Sequence, residues 1–186
     1  MSEKTEKEKM LSNELYLATD EELTRMQLAA AQLLYRLNLS QPEEIEEQKA
    51  IISRLFGKIG ANFTVRPPFH CDYGCYIFAG DNLYINFNCT ILDCNEVHLG
   101  ENVLLAPKVQ IYTGYHPLDP NLRLSGKELA APVSIGDNVW LGGGVIVCPG
   151  VTIGSNTTIG AGSVVTKNIP SNVVAVGNPC RVIKSV

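Results

Sequence analysis

Hydrophobic positions along this chain follow two different periods. From Val133 to Asn168 the count is six, and the sequence divides as VSIGDN VWLGGG VIVCPG VTIGSN TTIGAG SVVTKN. Every block opens with Val, Thr or Ser and carries Ile, Leu or Val at its third position. Six residues make a short strand plus a corner, with one aliphatic facing inward and Gly, Asn or Asp taking up the corner dihedrals. One such rung cannot bury its aliphatic alone, so rungs must stack into a solenoid. Three strands per coil require about 18 residues, with successive coils roughly 4.8 Å apart. On that count Cys71 and Cys89 are expected one above the other. A β-sandwich is the competing architecture, but it would show period-two alternation in longer strands and turns every 8–12 residues or so.

Upstream the count continues less regularly. Leu99, Leu105 and Ile111 keep step, and Ile77, Leu83 and Cys89 keep step in another phase, so the register slips near Asn95. Between Ile111 and Pro132 the count stops. The stretch YTGYHPLDPNLRLSGKELAAP is too long for a corner, and long insertions of this kind in rigid scaffolds carry function.

The first 57 residues follow the helical period instead and hold no glycine before Gly57. Asp20 is placed to cap a helix running to Asn38, with Leu23, Met26, Ala30, Leu33, Leu34 and Leu37 on one side. A second helix is predicted over 42–56, carrying Ile45, Ile51, Ile52 and Leu55. The expected organisation is an N-terminal helical cap, residues 1–57, and a solenoid, residues 58–186, with an inserted loop at 112–132 and a C-terminal tail.

Composition narrows the function classes. A net charge of −4 argues against general affinity for nucleic acid or an acidic membrane. No apolar run approaches the ~20 residues needed to span a bilayer, and MSEKTEKEKM lacks the apolar core of a secretory signal, so a cytoplasmic location is expected. The six cysteines have no zinc-knuckle spacing and no histidine pair beside them. They read as free thiols in small apolar positions, and no metal is expected.

The hexapeptide run, the YTGYHPLDP insertion and the ending IPSNVVAVGNPCRVIK together resemble the maltose and galactoside O-acetyltransferases, and the maltose branch more closely. The N-terminal EKEKM and ELY, the central RPPFHCDYG and the NFNCTILD segment extend that likeness nearly end to end. The resemblance implies a left-handed parallel β-helix, acetyl-CoA as co-substrate, a sugar acceptor and a homotrimer with active sites between subunits. It also implies that His116 is the general base. An imidazole, with an ordinary pKa near 6.5, is suited to taking a hydroxyl proton at neutral pH. His98, in a regular rung, reads as an outward polar residue, and His70 as a residue near the acceptor.

For the acceptor, the resemblance points to Asn86 with Tyr84 beside it, to Asp72 where the galactoside enzymes carry serine, and to Asp93 or Cys94 at their aspartate pair. The same positions also suit corner dihedrals. For the donor it points to Trp140, Gly143, Ala161, Thr166, Lys167, Arg181 and Lys184, the small residues admitting the pantetheine arm and the cations meeting phosphates. Two alternatives stay open on sequence: an acyltransferase with a non-sugar acceptor, and a non-catalytic solenoid scaffold.

Overall fold

A computed structural model describes residues 3–186. It holds four helices, α1 (Glu6–Leu11), α2 (Glu21–Asn38), α3 (Ile45–Leu55) and α4 (Pro120–Leu124). Asp20 caps α2 as expected, its carboxylate accepting from the backbone N–H groups of Glu22 at 2.9 Å and Leu23 at 3.3 Å. α3 starts three residues later than the expected Pro42, because Gln41–Glu44 closes as a turn, with Glu44 N–H donating to the Gln41 carbonyl.

The remainder is a parallel β-helix with three faces. One face stacks strands at Ile77–Ala79, Val97–Leu99, Val133–Ile135 and Thr152–Ile153. The second runs through Thr64–Val65, Tyr84–Ile85, Leu104–Leu105, Trp140–Leu141, Thr158–Ile159 and Val173–Val176, closed by the antiparallel strand Arg181–Ser185. The third stacks Phe69–Cys71, Cys89–Leu92, Gln110–Tyr112, Ile146–Val147 and Val164–Val165. Each hexapeptide turns two residues inward rather than the expected one, at its first and third positions. Val133 and Ile135, Val139 and Leu141, and Val145 and Val147 are all buried. The third positions stack as columns such as Ile85, Leu105, Leu141, Ile159 and Ala175.

Coil length explains the slips in the sequence count. Ser134 pairs with Thr152, a repeat of 18 residues, whereas Tyr84 pairs with Leu104, a repeat of 20. The extra residues of the long coils sit at one corner, where the third face meets the first, around Gly74 and again at Asp93–Asn95. The insertion leaves from that same corner one coil later. Cys71 therefore pairs with Ile91, and Cys89 with Phe69, so the expected stacking of Cys71 on Cys89 is not found.

An asparagine column marks the corner between the first and second faces. Asn62, Asn82, Asn102, Asn138 and Asn156 each donate the side-chain amide to the next asparagine along the solenoid at 2.8–3.3 Å, the series ending on Asn172. All six hold left-handed backbone, φ 55° to 60°, a conformation that asparagine tolerates better than other residues bearing a Cβ.

α2 and α3 close the N-terminal end of the solenoid. Leu34, Leu37, Ile51, Ile52 and Leu55 join Phe56 and Phe69 in the continuous core, and Asn38 brackets Phe69 with two 2.9 Å hydrogen bonds to its backbone. The inserted loop at 112–132 carries strands of its own. Gly114–Tyr115 pairs with Lys127–Ala130, and Tyr16–Leu17 pairs with the other edge of Lys127–Ala130. Pairing to an N-terminal strand about 110 residues away is invisible to local sequence patterns.

Candidate active site

The three-stranded sheet made by the insertion and residues 16–17 positions the candidate base. Side chains on one strand alternate between faces, and directly opposed residues share a face. Gly114 opposes Ala130, Tyr115 opposes Leu129, and Tyr16 opposes Glu128. One sheet face therefore carries Gly114, Ala130, Glu128 and Tyr16, and His116 lies exposed one residue beyond the Gly114–Tyr115 strand. Tyr115 points to the other side, where its hydroxyl donates to Asn13 at 2.9 Å.

The face that carries Gly114 looks onto the corner at Asp72 and Cys94. A Cβ added to Gly114 would meet the Cys94 Sγ at 3.0 Å, so a larger residue there would have to displace the thiol or the sheet by a few tenths of an ångström or so. Cys94 Sγ donates to Asp72 Oδ2 at 3.3 Å, and the Tyr16 hydroxyl donates to Glu128 Oε2 at 3.1 Å. Burial pushes the Asp72 carboxyl up from the ordinary carboxylate range, with the Glu128 charge adding to it and the Cys94 hydrogen bond opposing. Burial also raises the Cys94 thiol and the Tyr16 phenol, so both stay protonated donors. The backbone beyond His116 is clamped as well, since Arg123 of α4 donates to the carbonyls of Pro117 at 3.0 Å and Leu118 at 3.2 Å.

Asp93 is not part of the open wall. It is fully buried, and its two oxygens accept from the backbone N–H groups of Asp72 at 3.1 Å, Tyr73 at 2.9 Å and Tyr76 at 3.3 Å. The expected contact between Asp93 and an acceptor is thus replaced by a supporting role: it shapes the corner that presents Asp72. Cys94 is also enclosed, between Asp72, Tyr16 and Gly114. His98 points outward, as read from sequence, stacked on Phe78 with ring centroids 5.1 Å apart and bonded to Glu96 at 2.8 Å. His70 faces outward on the third face beside Thr90, exposed and two residues before Asp72.

The other named residues lie elsewhere. Tyr84 and Trp140 project from the second face, on either side of Leu104 in the ladder. Asn86, Gly143 and Ala161 occupy the corner between the second and third faces, and Arg181 and Lys184 sit on the exposed closing strand of the second face. That corner fits a slender ligand arm, because the nearest atom to a Cβ placed on Gly143 is the Pro107 carbonyl oxygen at 3.5 Å, and Gly144 has nothing within 4 Å. Thr166 and Lys167 sit at the corner His116 uses, beyond Val164–Val165. Within one chain the width of the third face thus divides the named residues into two groups. Among the described residues no cluster of three His, Cys, Asp or Glu side chains converges as a metal site, and no helix is long and apolar enough to cross a membrane.

Three residues of this corner have no sequence signal. Tyr16 and Glu128 meet only through the long-range sheet. Asn95, 3% exposed, donates to the carbonyls of Met10 at 3.1 Å and Ala130 at 2.8 Å, tying α1 and the insertion to the solenoid.

Comparison with known proteins agrees with this architecture. Residues 9–60 match the maltose acetyltransferase hexapeptide capping motif, and residues 132–167 match the bacterial transferase hexapeptide model of six repeats. A maltose O-acetyltransferase from Clostridium difficile 630 superposes with a TM-score of 0.98 at 52% identity, over 100% of this chain and 99% of the other. A galactoside acetyltransferase in complex with coenzyme A superposes with a TM-score of 0.96 at 43% identity, over 98% and 92%. The galactoside O-acetyltransferase of Escherichia coli K12 is 44% identical over 179 residues, 96% of this chain and 88% of that protein. Such likeness along the whole solenoid makes the β-helix left-handed, and the chain belongs to the maltose and galactoside O-acetyltransferase family of hexapeptide-repeat enzymes.

Proposed function

We propose that the chain transfers the acetyl group of acetyl-CoA directly to a hydroxyl of a sugar, with His116 as general base. The observation that carries this reading is that exposed His116 directly follows the Gly114–Tyr115 strand, whose Gly114 packs against Cys94, the hydrogen-bond partner of half-open Asp72. The coenzyme A complex of the galactoside acetyltransferase supports the donor. His116 takes the hydroxyl proton as the acceptor oxygen attacks the acetyl carbonyl, and the coenzyme A thiolate leaves. Holding both substrates in attack geometry supplies much of the acceleration.

The division of the named residues supports a shared site. His116 and Asp72 of one subunit would meet Asn86, Tyr84 and the donor corner of its neighbour across a homotrimer interface. The free thiols of all six cysteines fit a reducing compartment such as the cytoplasm.

The test is thiol release from acetyl-CoA with maltose, glucose or a galactoside, comparing wild type with His116→Ala. Loss of roughly 10²–10⁴-fold in kcat, with acetyl-CoA affinity retained, is expected for removal of a general base. Turnover unaffected by the substitution would overturn the assignment.

A further inference from the structure

We propose that Lys108 is a further catalytic residue, its ammonium meeting the negative charge that passes from the acetyl oxygen to the departing sulfur during transfer. The inference rests on the acetyl-transfer reading above.

Backbone conformation is the first argument. Nine of the described residues other than glycine hold a left-handed backbone; eight are asparagines, and the ninth is Lys108 at φ 62°. The corner between the second and third faces takes this conformation in four successive coils, at Asn88 (φ 60°), Lys108, Gly144 (φ 67°) and Gly162 (φ 71°). Glycine adopts it freely and asparagine at small cost, whereas a longer side chain sets its Cβ against the following carbonyl. Strain of this kind clusters where a side chain serves a site.

Placement is the second argument. The Lys108 N–H donates to the Phe87 carbonyl at 3.1 Å, and the Gly144 N–H donates to the Pro107 carbonyl at 2.9 Å. Lys108 therefore stands one coil above Asn86 and one below Gly143, the acceptor-side and donor-side positions of this corner. The acetyl group has to pass between those two. A lysine stem is flexible and longer than the coil spacing of about 4.8 Å, so its amine reaches atoms lying against either coil. The side chain is exposed and forms no ion pair among the described residues. Arg66, lower on the same corner, is instead taken up by the Phe87 ring, 5.5 Å from its centroid.

The charge suits the step. The acceptor oxygen bonds the acetyl carbon as its proton passes to His116, and the carbonyl oxygen gathers negative charge. The carbon–sulfur bond then breaks, and the thiolate takes up the proton held by His116. Lys108 keeps its own proton throughout, and its positive charge favours the charged transition state over the neutral thioester.

The experiment compares Lys108→Gly, Lys108→Met and Lys108→Arg with wild type, by steady-state kinetics, calorimetry with coenzyme A and thermal unfolding. Gly removes charge and strain together, Met removes the charge alone, and Arg keeps both. We expect kcat to fall at least about tenfold in Gly and Met, with coenzyme A affinity unchanged and Arg the most active of the three. Lys108→Gly should also melt about 2–4 °C above wild type, a gain in stability with a loss of turnover that a structural role would not give. Wild-type kcat in Lys108→Gly, equal kcat in Met and Arg, or a loss confined to KM would overturn the role of Lys108. A melting temperature at or below wild type in Lys108→Gly would show that the corner does not strain the lysine, and would overturn it too. Wild-type protein that binds no acetyl-CoA would instead remove the acetyl-transfer reading, and Lys108 with it.

Discussion

A residue's chemistry here depends on which way the corner turns it. Asp72 and Asp93 are both carboxylates read from sequence as acceptor contacts, yet only Asp72 remains open to solvent. Asp93 carries three backbone hydrogen bonds inside the corner, and burial outweighs them, pushing its carboxyl up to about 6 from 3.8. A carboxyl raised on folding favours the folded state most when protonated. Its contribution is thus complete below about pH 4 and is lost as pH rises through about 6, by roughly 3 kcal/mol across that window. Denaturant titrations from pH 4 to 7 should show this decline in the wild type. The slope should flatten in Asp93→Asn, which will also be less stable at pH 4, where its amide N–H₂ meets the Tyr76 N–H. A wild-type curve that rises over this range would contradict the burial argument.

At the scale of elements, the six-residue period made the strands and corners legible from Val133 onward, and the helical period did the same for α2. Both are local patterns, and each follows from burying one side of a repeating backbone. The coil lengths were less legible, because the two extra residues at Gly74 and at Asp93–Asn95 change the phase without changing the residue types. The insertion was least legible: its strands are only two and four residues long and are stabilised by Tyr16–Leu17. Asn102 illustrates what the corners require. It accepts from Asn82 at 2.8 Å and donates to Asn138 at 2.9 Å, at φ 56°. Asn102→Ala should lose both bonds and add left-handed strain, about 2–4 kcal/mol in all. Asn102→Gly should lose the bonds alone and be the more stable variant by about 1 kcal/mol or more. Thermal unfolding of the pair decides this, since equal melting temperatures would remove dihedral strain from the account.

For the whole molecule, the separation of the named residues across the third face has a direct consequence. The second face exposes Leu104 at 46% and Trp140 at 51%, beside Tyr84, on a flat ladder suited to contact with another copy. If each site takes His116 from one subunit and Asn86 from the next, two inactive variants should rescue one another. Co-expressed His116→Ala and Asn86→Ala chains should recover up to about a quarter of wild-type activity, as mixed trimers contain sites with both residues intact. Recovery of none, with mixed trimers demonstrated by mass spectrometry, would place the site within one chain.

The sequence by itself determined the repeating solenoid, its helical N-terminal segment, the point at which the count breaks and, through family likeness, which histidine to examine. All of these are written in short stretches of chain, where spacing and residue type suffice. Only the tertiary structure decided that Cys71 lies over Ile91, that Asp93 is buried while Asp72 is open, and that Tyr16 meets Glu128 across the sheet of the insertion. Those facts depend on coil length and on pairing between segments more than 100 residues apart, for which no local period carries a signal.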